Sequence, residues 1–198
     1  MKLAPSTSGL SRRFLALLEQ EGLGGKRVLD LGCGWGRLAL VLAVSAARVV
    51  GLDRDAGAIR NARERAAGAG LGNVEFHEMD VEREDYGRFA PDLITAHLCA
   101  SDAIMERAGR ALPPGGCLGM VAFHVDQWRE TGRVSRFAYD EARMEAVLRR
   151  AGLEGARARA RHRPRQSHRE SAPWASRKRG LGREARCPRL IRGRRRRP

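Results

Sequence analysis

Residues 26–37 read Lys-Arg-Val-Leu-Asp-Leu-Gly-Cys-Gly-Trp-Gly-Arg, and this stretch decides the fold. Its first half is the short apolar run of a buried strand, interrupted by the acid Asp30. Three glycines then alternate with other residues, and an apolar helical pattern begins at Leu38. Glycine permits sharp turns and a close backbone approach to a ligand, and a helix start presents free N–H groups. The stretch therefore predicts a strand, a ligand-binding loop and a helix in succession.

The spacing of the glycines separates two kinds of nucleotide-type site. Dinucleotide-binding loops favour Gly-x-Gly-x-x-Gly, whose backbone cradles a pyrophosphate. Here the order is Asp-x-Gly-x-Gly-x-Gly, with Asp30 two positions before Gly32. A carboxylate repels a pyrophosphate and attracts an ammonium group. The loop therefore favours a ligand that carries a cation, and an NAD-dependent oxidoreductase is the less favoured alternative.

The segment resembles motif I of the class I S-adenosylmethionine (SAM)-dependent methyltransferases, and the resemblance extends over about residues 26–152. It implies a Rossmann-like α/β fold, in which SAM binds at the carboxyl ends of a mostly parallel sheet. It also implies a methyltransferase whose methyl acceptor the motif does not identify. The residues that the resemblance assigns to the cofactor are Asp30, Gly32, Cys33, Gly34, Gly36, Asp53, Arg54, Asp80, Val81 and Ala96.

Apolar strands alternate with helices beyond the glycine loop. We expect strands over 27–31, 48–53, 73–79, 92–96 and 117–123, and helices over 11–21, 38–47, 56–69, 101–111 and 140–151. This alternation predicts a parallel sheet wound by right-handed crossovers. The strand ends at Asp30, Asp53, Asp80 and Ala96 should then surround one cleft.

Two acids after Asp30 have roles that the resemblance implies. Asp53 would bind the ribose diol, while the next acid, Asp55, is better placed to cap the following helix. Asp80 would accept from the adenine amino group beside the backbone N–H of Val81, or it caps the segment that follows, or it does both. Arg54 either stacks on the adenine face or is an ordinary exposed arginine.

The catalytic residue is unknown at this stage. His97 follows the fourth strand, and the pair His124 and Asp126 follows the fifth, so all three are candidates for proton transfer. The alternative is that they are polar wall and loop residues. The loop at 97–102 is not Asn/Asp-Pro-Pro-Tyr/Phe, which argues against methylation of planar amino groups in nucleic acids or glutamine.

The chain divides in two by charge. Residues 1–153 carry 21 Lys and Arg against 20 Asp and Glu, whereas residues 154–198 carry 17 against 3. We expect 1–153 to be the SAM-binding domain and 154–198 to be a disordered, arginine-rich tail. The favoured interpretation of this tail is an out-of-frame or degenerate extension, so that the last strands of the sheet are missing or replaced. The alternative is an arm that contacts nucleic acid phosphates without sequence choice.

The expected function is methyl transfer from SAM to a small-molecule acceptor. The alternatives are an RNA- or protein-directed methyltransferase recruited by the tail, and a truncated SAM-binding remnant without activity. The four cysteines show no metal-ligand spacing, so we expect reduced thiols, no metal and a cytoplasmic location. No apolar run is long enough to predict a membrane span.

Overall fold

The computed structural model describes residues 7, 10–126, 137–154 and 191–192. Its strands are β1 Arg27–Leu31, β2 Arg48–Asp53, β3 Val74–Glu78, β4 Leu93–His97, β5 Cys117–Val121, β6 Phe123–His124, β7 Ala138–Tyr139 and β8 Ile191–Arg192. One sheet has the order β3-β2-β1-β4-β5-β8, and β6 pairs separately with β7. Strands β1 to β5 are mutually parallel, so the predicted Rossmann-like, mostly parallel sheet is confirmed.

Helices cover both faces of this sheet. They are α1 Arg12–Gln20, α2 Arg37–Ala43, α3 Ala56–Ala69, α4 Asp102–Ala111 and α5 Glu141–Arg150, with a short 3-10 turn at Gly87–Phe89. The first three pack in one apolar cluster with one face of the sheet, and α4 and α5 pack in a second cluster with the other face. Strands β1, β2, β4 and β5 therefore bury both of their faces, which explains their nearly continuous apolar sequences, whereas the edge strand β3 is only partly buried.

Side-chain caps place most of the helix starts. Ser11, Asp55, Ser101 and Asp140 each accept a hydrogen bond from a backbone N–H in the first turn of the helix that follows. Helix α2 begins differently, because its first residue follows Gly36, which has left-handed backbone and supplies no side chain. Capping thus explains why those four starts were readable from the sequence.

Two element ends differ from the sequence-based expectation by more than one residue. Helix α2 ends at Ala43, because the side-chain amide of Asn73 donates to the carbonyl oxygens of Ala43 and Ala46, at 2.8 and 2.9 Å. The prediction that this helix continues to residue 47 was wrong. Strand β5 ends at Val121, whose carbonyl accepts from the N–H of Leu98 at 2.8 Å, and residues 123–124 pair with β7 instead.

The edge of the sheet beside β5 is occupied by residues from the basic tail. Ile191 and Arg192 pair antiparallel with Leu118 and Cys117. This short strand replaces part of the edge that we expected to be missing. The rest of the tail, residues 155–190 and 193–198, lies outside the described residues, so its predicted disorder and the division at residue 153 stay predictions. Among the described helices, none is long and apolar enough to cross a membrane.

Gly36 and Gly34 provide a matched test of packing around the glycine loop. Both have positive φ, 71° and 52°, but a Cβ on Gly36 would lie 2.7 Å from the Phe76 ring, whereas one on Gly34 would meet nothing within 4 Å. We expect Gly36→Ala to lower the free energy of unfolding by about 2–4 kcal/mol, and Gly34→Ala by about 1 kcal/mol from backbone strain alone. Urea unfolding measures both values. Equal losses would contradict the packing argument.

Candidate functional site

A cavity of about 560 Å³ lies at the carboxyl ends of the parallel strands. Residues that follow each of β1 to β5 contribute to it, as expected where the strand order reverses beside β1. Its volume is in the range of sites for ligands the size of a nucleoside. The described residues that line it are Gly32, Asp53, Arg54, Met79, Asp80, Val81, Glu82, His97, Leu98, Cys99, Ala100, Ile104, Ala122, Phe123 and Phe137.

The glycine loop forms the floor of the cavity next to β1. Gly32 has a φ of 64°, and a Cβ there would lie 2.3 Å from the sulfur of Cys99 in the loop after β4. The absence of a side chain therefore allows the loops after β1 and β4 to touch. Only glycine fits this position without moving one of the two loops.

Asp53 joins the loop after β2 to the glycine loop. Its Oδ2 accepts from the N–H of Gly34 at 2.8 Å, and its Oδ1 accepts from the N–H of Asp55 at 3.0 Å. These two bonds hold the carboxylate in the cavity wall and leave lone pairs for a hydroxyl-bearing ligand. Asp55 caps α3 through the N–H groups of Gly57 and Ala58, as its sequence position predicted.

Asp30 is buried beneath the glycine loop. It is 1% exposed, its Oδ1 accepts from the Thr95 hydroxyl at 2.8 Å, and its Oδ2 has no partner among the described residues. Burial raises the pKa of Asp30 to about 7, and the charge of Asp53 acts in the same direction, against hydrogen bonds from Thr95 and the Ala39 amide. A buried carboxyl with an unsatisfied oxygen favours a nearby cation.

Asp80 is both a cap and a cavity residue. Its Oδ1 accepts from the N–H of Glu82 at 3.0 Å, while its own N–H donates to the Glu84 carboxylate at 2.8 Å. Arg107 of α4 donates to the carbonyl of Glu82 at 2.9 Å and so fixes this turn against the domain. Asp80 and Val81 therefore line the cavity from a turn whose backbone is fixed by several hydrogen bonds.

The segment after β4 forms the opposite side of the cavity. His97 ends β4 as its last residue, and its ring packs at 5.9 Å from the ring of Phe14. Burial lowers the pKa of His97 from its usual 6.5, and the charge of Arg37 lowers it further, so the ring is neutral at pH 7. Burial together with Asp53 and Asp30 raises the pKa of Cys99 to about 12, which keeps that thiol protonated.

The structure brings some of the sequence-predicted site residues to the cavity surface and leaves others behind it. Those that line the cavity are Gly32, Asp53, Arg54, Asp80, Val81 and His97. Those absent from the lining are Asp30, Cys33, Gly34, Gly36, Ala96, His124 and Asp126. His124 and Asp126 do form a pair, with Nδ1 and Oδ2 3.1 Å apart, but neither of them lines the cavity, although the adjacent Phe123 does.

Sequence reasoning did not select the large apolar residues that follow β4 and β5, or Phe137, as site residues. Leu98, Phe123 and Phe137 line the cavity, and Leu98 and Phe137 are both 39% exposed, which is unusual for large apolar side chains. A signal existed for Leu98 and Phe123, since each lies just beyond the end of a parallel strand. Phe137 had no such signal, because it reaches the cavity from a distant part of the chain.

Comparisons with known proteins agree with this geometry. A family model described as a methyltransferase domain matches residues 23–152. The chain is 45% identical over 78 residues to the 23S rRNA (uracil(1939)-C(5))-methyltransferase RlmD of Xylella fastidiosa, a match covering 38% of this chain and 18% of that protein. It is 33% identical over 103 residues to the ubiquinone biosynthesis O-methyltransferase of Acinetobacter baylyi, covering 48% and 42%.

A solved structure extends the similarity to nearly the whole chain. A SAM-dependent methyltransferase from Methanosarcina mazei superposes with a TM-score of 0.68 at 18% identity, covering 93% of this chain and 98% of that one. At this identity the likeness concerns the fold. The chain spans less than half the length of either curated relative, so the relatives share a domain with it and not their full architecture.

The buried carboxyl of Asp30 predicts a pH-dependent stability. Its pKa is about 7 in the folded chain against 3.8 normally. Between about pH 4 and pH 7 the folded chain therefore keeps this carboxyl protonated, whereas the unfolded chain has released the proton. Stability should therefore fall as pH rises from about 4 to about 7. We expect Asp30→Asn to raise the free energy of unfolding by about 1–3 kcal/mol at pH 8, with the gain shrinking toward pH 4.

Denaturant unfolding at several pH values measures this trend. Asp85→Asn is the matched control, because Asp85 is an exposed carboxylate that caps a turn through the N–H of Gly87. It should change stability by less than about 0.5 kcal/mol. A gain from Asp30→Asn that is the same at every pH would show that the carboxyl is not titrating in the folded chain.

Proposed function

The chain belongs to the SAM-dependent methyltransferase family, and from that premise we propose that it transfers the methyl group of SAM to a small-molecule acceptor. The observation that carries the proposal is the cavity at the strand ends, which gathers Asp53 and Asp80 in one wall beside the side-chain-free Gly32. Family membership also decides against the dinucleotide alternative that the glycine spacing disfavoured.

The residues of the cavity fit SAM in size and in chemistry. About 560 Å³ accommodates a nucleoside joined to an amino acid, and two carboxylates face the positions where hydroxyl and amino donors would lie. Beneath them lies the buried carboxyl of Asp30, whose unsatisfied Oδ2 would favour a cationic amino acid group nearby. A pyrophosphate would be repelled by the same three acids.

We assign the cofactor contacts by position. Asp53 would accept from the ribose hydroxyls, Asp80 from the adenine amino group, and the Val81 backbone would border the ring. Gly32, Gly34 and Gly36 would let the loop follow the ligand, with Cys33 and Ala96 packed behind it. Arg54 is exposed at the rim, where its guanidinium can cover the adenine face.

The protein has little acid–base chemistry to perform in such a reaction. The sulfonium of bound SAM supplies an already activated methyl group, so the chain chiefly aligns the acceptor and excludes water. His97 is the candidate that lines the cavity, and its neutral ring can accept a proton at pH 7. His124 and Asp126 are weaker candidates because neither of them lines the cavity.

An RNA acceptor is the second candidate, favoured by the similarity to RlmD. The arginine-rich tail would then supply phosphate contacts, and it holds most of the chain's excess of basic residues. The small-molecule reading is preferred because the described cavity residues include a single arginine and no lysine. A protein acceptor and an inactive SAM-binding remnant are the further alternatives.

The cellular location is also a proposal. None of the described cysteines, Cys33, Cys99 and Cys117, forms a disulfide with another. This fits the reducing environment of the cytoplasm, where thiols stay reduced.

Asp53→Ala tests the cofactor assignment against Asp55→Asn. The first removes the proposed ribose acceptor, and we expect its affinity for S-adenosylhomocysteine, the product form of SAM, to fall at least tenfold. The second keeps a good helix cap two residues away, so its affinity should stay within about twofold. Isothermal titration calorimetry measures both. Absence of binding by the wild-type chain, or equal losses in the two variants, would refute the assignment.

A further inference from the structure

One wall of the cavity is apolar and the other is polar. The polar wall follows β1, β2 and β3 and includes Asp53, Arg54, Asp80 and Glu82. The apolar wall follows β4 and β5 and adds the residue just before β7; its described members are His97, Leu98, Cys99, Ala100, Ile104, Ala122, Phe123 and Phe137. None of these eight carries a charged side chain at pH 7, because the His97 ring is neutral and the Cys99 thiol is protonated. All the charged side chains among the described cavity residues therefore lie on one wall, which also holds Met79 and Val81.

Leu98 in this wall has a backbone conformation that leucine does not favour. It has a φ of 61°, a left-handed conformation that a leucine rarely adopts. Its N–H donates to the Val121 carbonyl at 2.8 Å, which fixes this backbone against β5. The result is an apolar side chain that is 39% exposed at the cavity. Strain of this kind is found at ligand sites more often than elsewhere.

Phe137 and Phe123 continue the same surface from the other side. Phe123 is the β6 residue that pairs with Ala138 of β7, and Phe137 directly precedes that partner. Tyr139 of β7 is anchored by its hydroxyl, which donates to the Asp102 carboxylate at 2.8 Å. Arg143 donates to that same carboxylate at 3.1 Å and lies over the Tyr139 ring at 4.5 Å. This fixed cluster next to Phe137 positions an aromatic side chain, 39% exposed, at the mouth of the cavity.

We propose that this apolar wall is the acceptor site and that it takes an uncharged, planar, apolar molecule with a hydroxyl group, which His97 deprotonates. The inference rests on the proposed function, because it assigns the polar wall to the cofactor. Aromatic and aliphatic side chains bind such a molecule by excluding water, whereas a phosphate or carboxylate would be desolvated there without a partner. His97 is the group in this wall that can accept a proton.

The chemical step balances with these groups alone. The hydroxyl proton moves to the neutral His97 ring as the oxygen forms a bond to the methyl carbon. The carbon–sulfur bond breaks with its electron pair kept by sulfur, which loses its positive charge. His97 then carries that charge as an imidazolium until it releases the proton to water.

Binding to the protein with S-adenosylhomocysteine already bound tests the acceptor class. The probes are 2-naphthol, 6-hydroxynaphthalene-2-sulfonate with the same rings and an added negative charge, and uridine as a polar base on a ribose. We expect 2-naphthol to bind at least tenfold more tightly than either of the others. Equal or tighter binding of the sulfonate or of uridine would overturn the proposal, and tighter uridine binding would favour an RNA acceptor.

Leu98→Asn is the sharpest variant for this site. Asparagine adopts left-handed backbone readily and is close to leucine in size, so the variant should fold while the wall becomes polar. We expect 2-naphthol affinity to fall about tenfold, with S-adenosylhomocysteine affinity within twofold of wild type. Val44→Ala is the control, because Val44 is 64% exposed but lies at the far end of α2, and it should change neither affinity.

The affinities for S-adenosylhomocysteine and for 2-naphthol test the proposed function and the acceptor class separately. If the wild type fails to bind S-adenosylhomocysteine, the proposed function itself fails. If that ligand binds but 2-naphthol does not, or if Leu98→Asn leaves naphthol affinity unchanged, the cofactor assignment stands and the acceptor class is wrong.

His97→Gln tests the proton step by rate. Mass spectrometry should detect 2-methoxynaphthalene from 2-naphthol and SAM with the wild type, and we expect at least a hundredfold lower rate with His97→Gln at similar 2-naphthol affinity. The charge of Arg37 of α2 acts on the ring, and the uncharged Phe14 ring packs against it. The wild-type rate should therefore rise with pH through a value below 6.5, and the variant should lack this rise. No methylated product from the wild type would contradict the step.

Discussion

Left-handed backbone at Gly32, Gly34 and Gly36 is the constraint on which the site depends. Three such residues within five positions turn the chain from the end of β1 into α2 and keep the loop in contact with the neighbouring loops. The turn allows contact with Cys99 on one side, and it aims the Gly34 N–H at Asp53 on the other. The loops after β1, β2 and β4 therefore hold one another in place around the cavity. A side chain at Gly32 would separate two of them.

The sequence predicted most of what depends on local pattern. Strands β1 and β2 and helix α3 have the predicted bounds, because apolar runs and the Asp55 cap are local signals. The end of α2 was not predictable in this way, since it is set by Asn73, which lies 30 positions further along the chain. The polar half of the cavity could be predicted from the acids at the strand ends and from the resemblance to methyltransferases. The apolar half did not, because Phe137 reaches it through tertiary packing and Leu98 through an unusual backbone angle.

Asp30 illustrates a conflict between stability and function. Its carboxyl is almost fully buried, and one of its oxygens has no partner in the described part of the chain, so the folded state is less stable than it would be with an amide there. Thr95 and the Ala39 amide offset only part of this cost. A residue chosen for packing alone would not be an acid. Its presence is consistent with a site where the missing partner is supplied by a cationic ligand, and natural proteins retain such local instability where ligands bind.

The pairing of β8 with β5 has a consequence for the order in which the domain assembles. The partners Leu118 and Ile191 are far apart in sequence, whereas successive parallel strands are joined by single helical crossovers or short loops. Two residue pairs give little gain to offset the entropy lost in closing so long a connection, so we expect this contact to form after the central strands have docked. Strands β1 to β5 also precede β8 in the chain and are synthesised before it. We therefore expect a stage in which β5 is a bare edge, and edge-to-edge association between chains would compete with completion of the sheet at that stage.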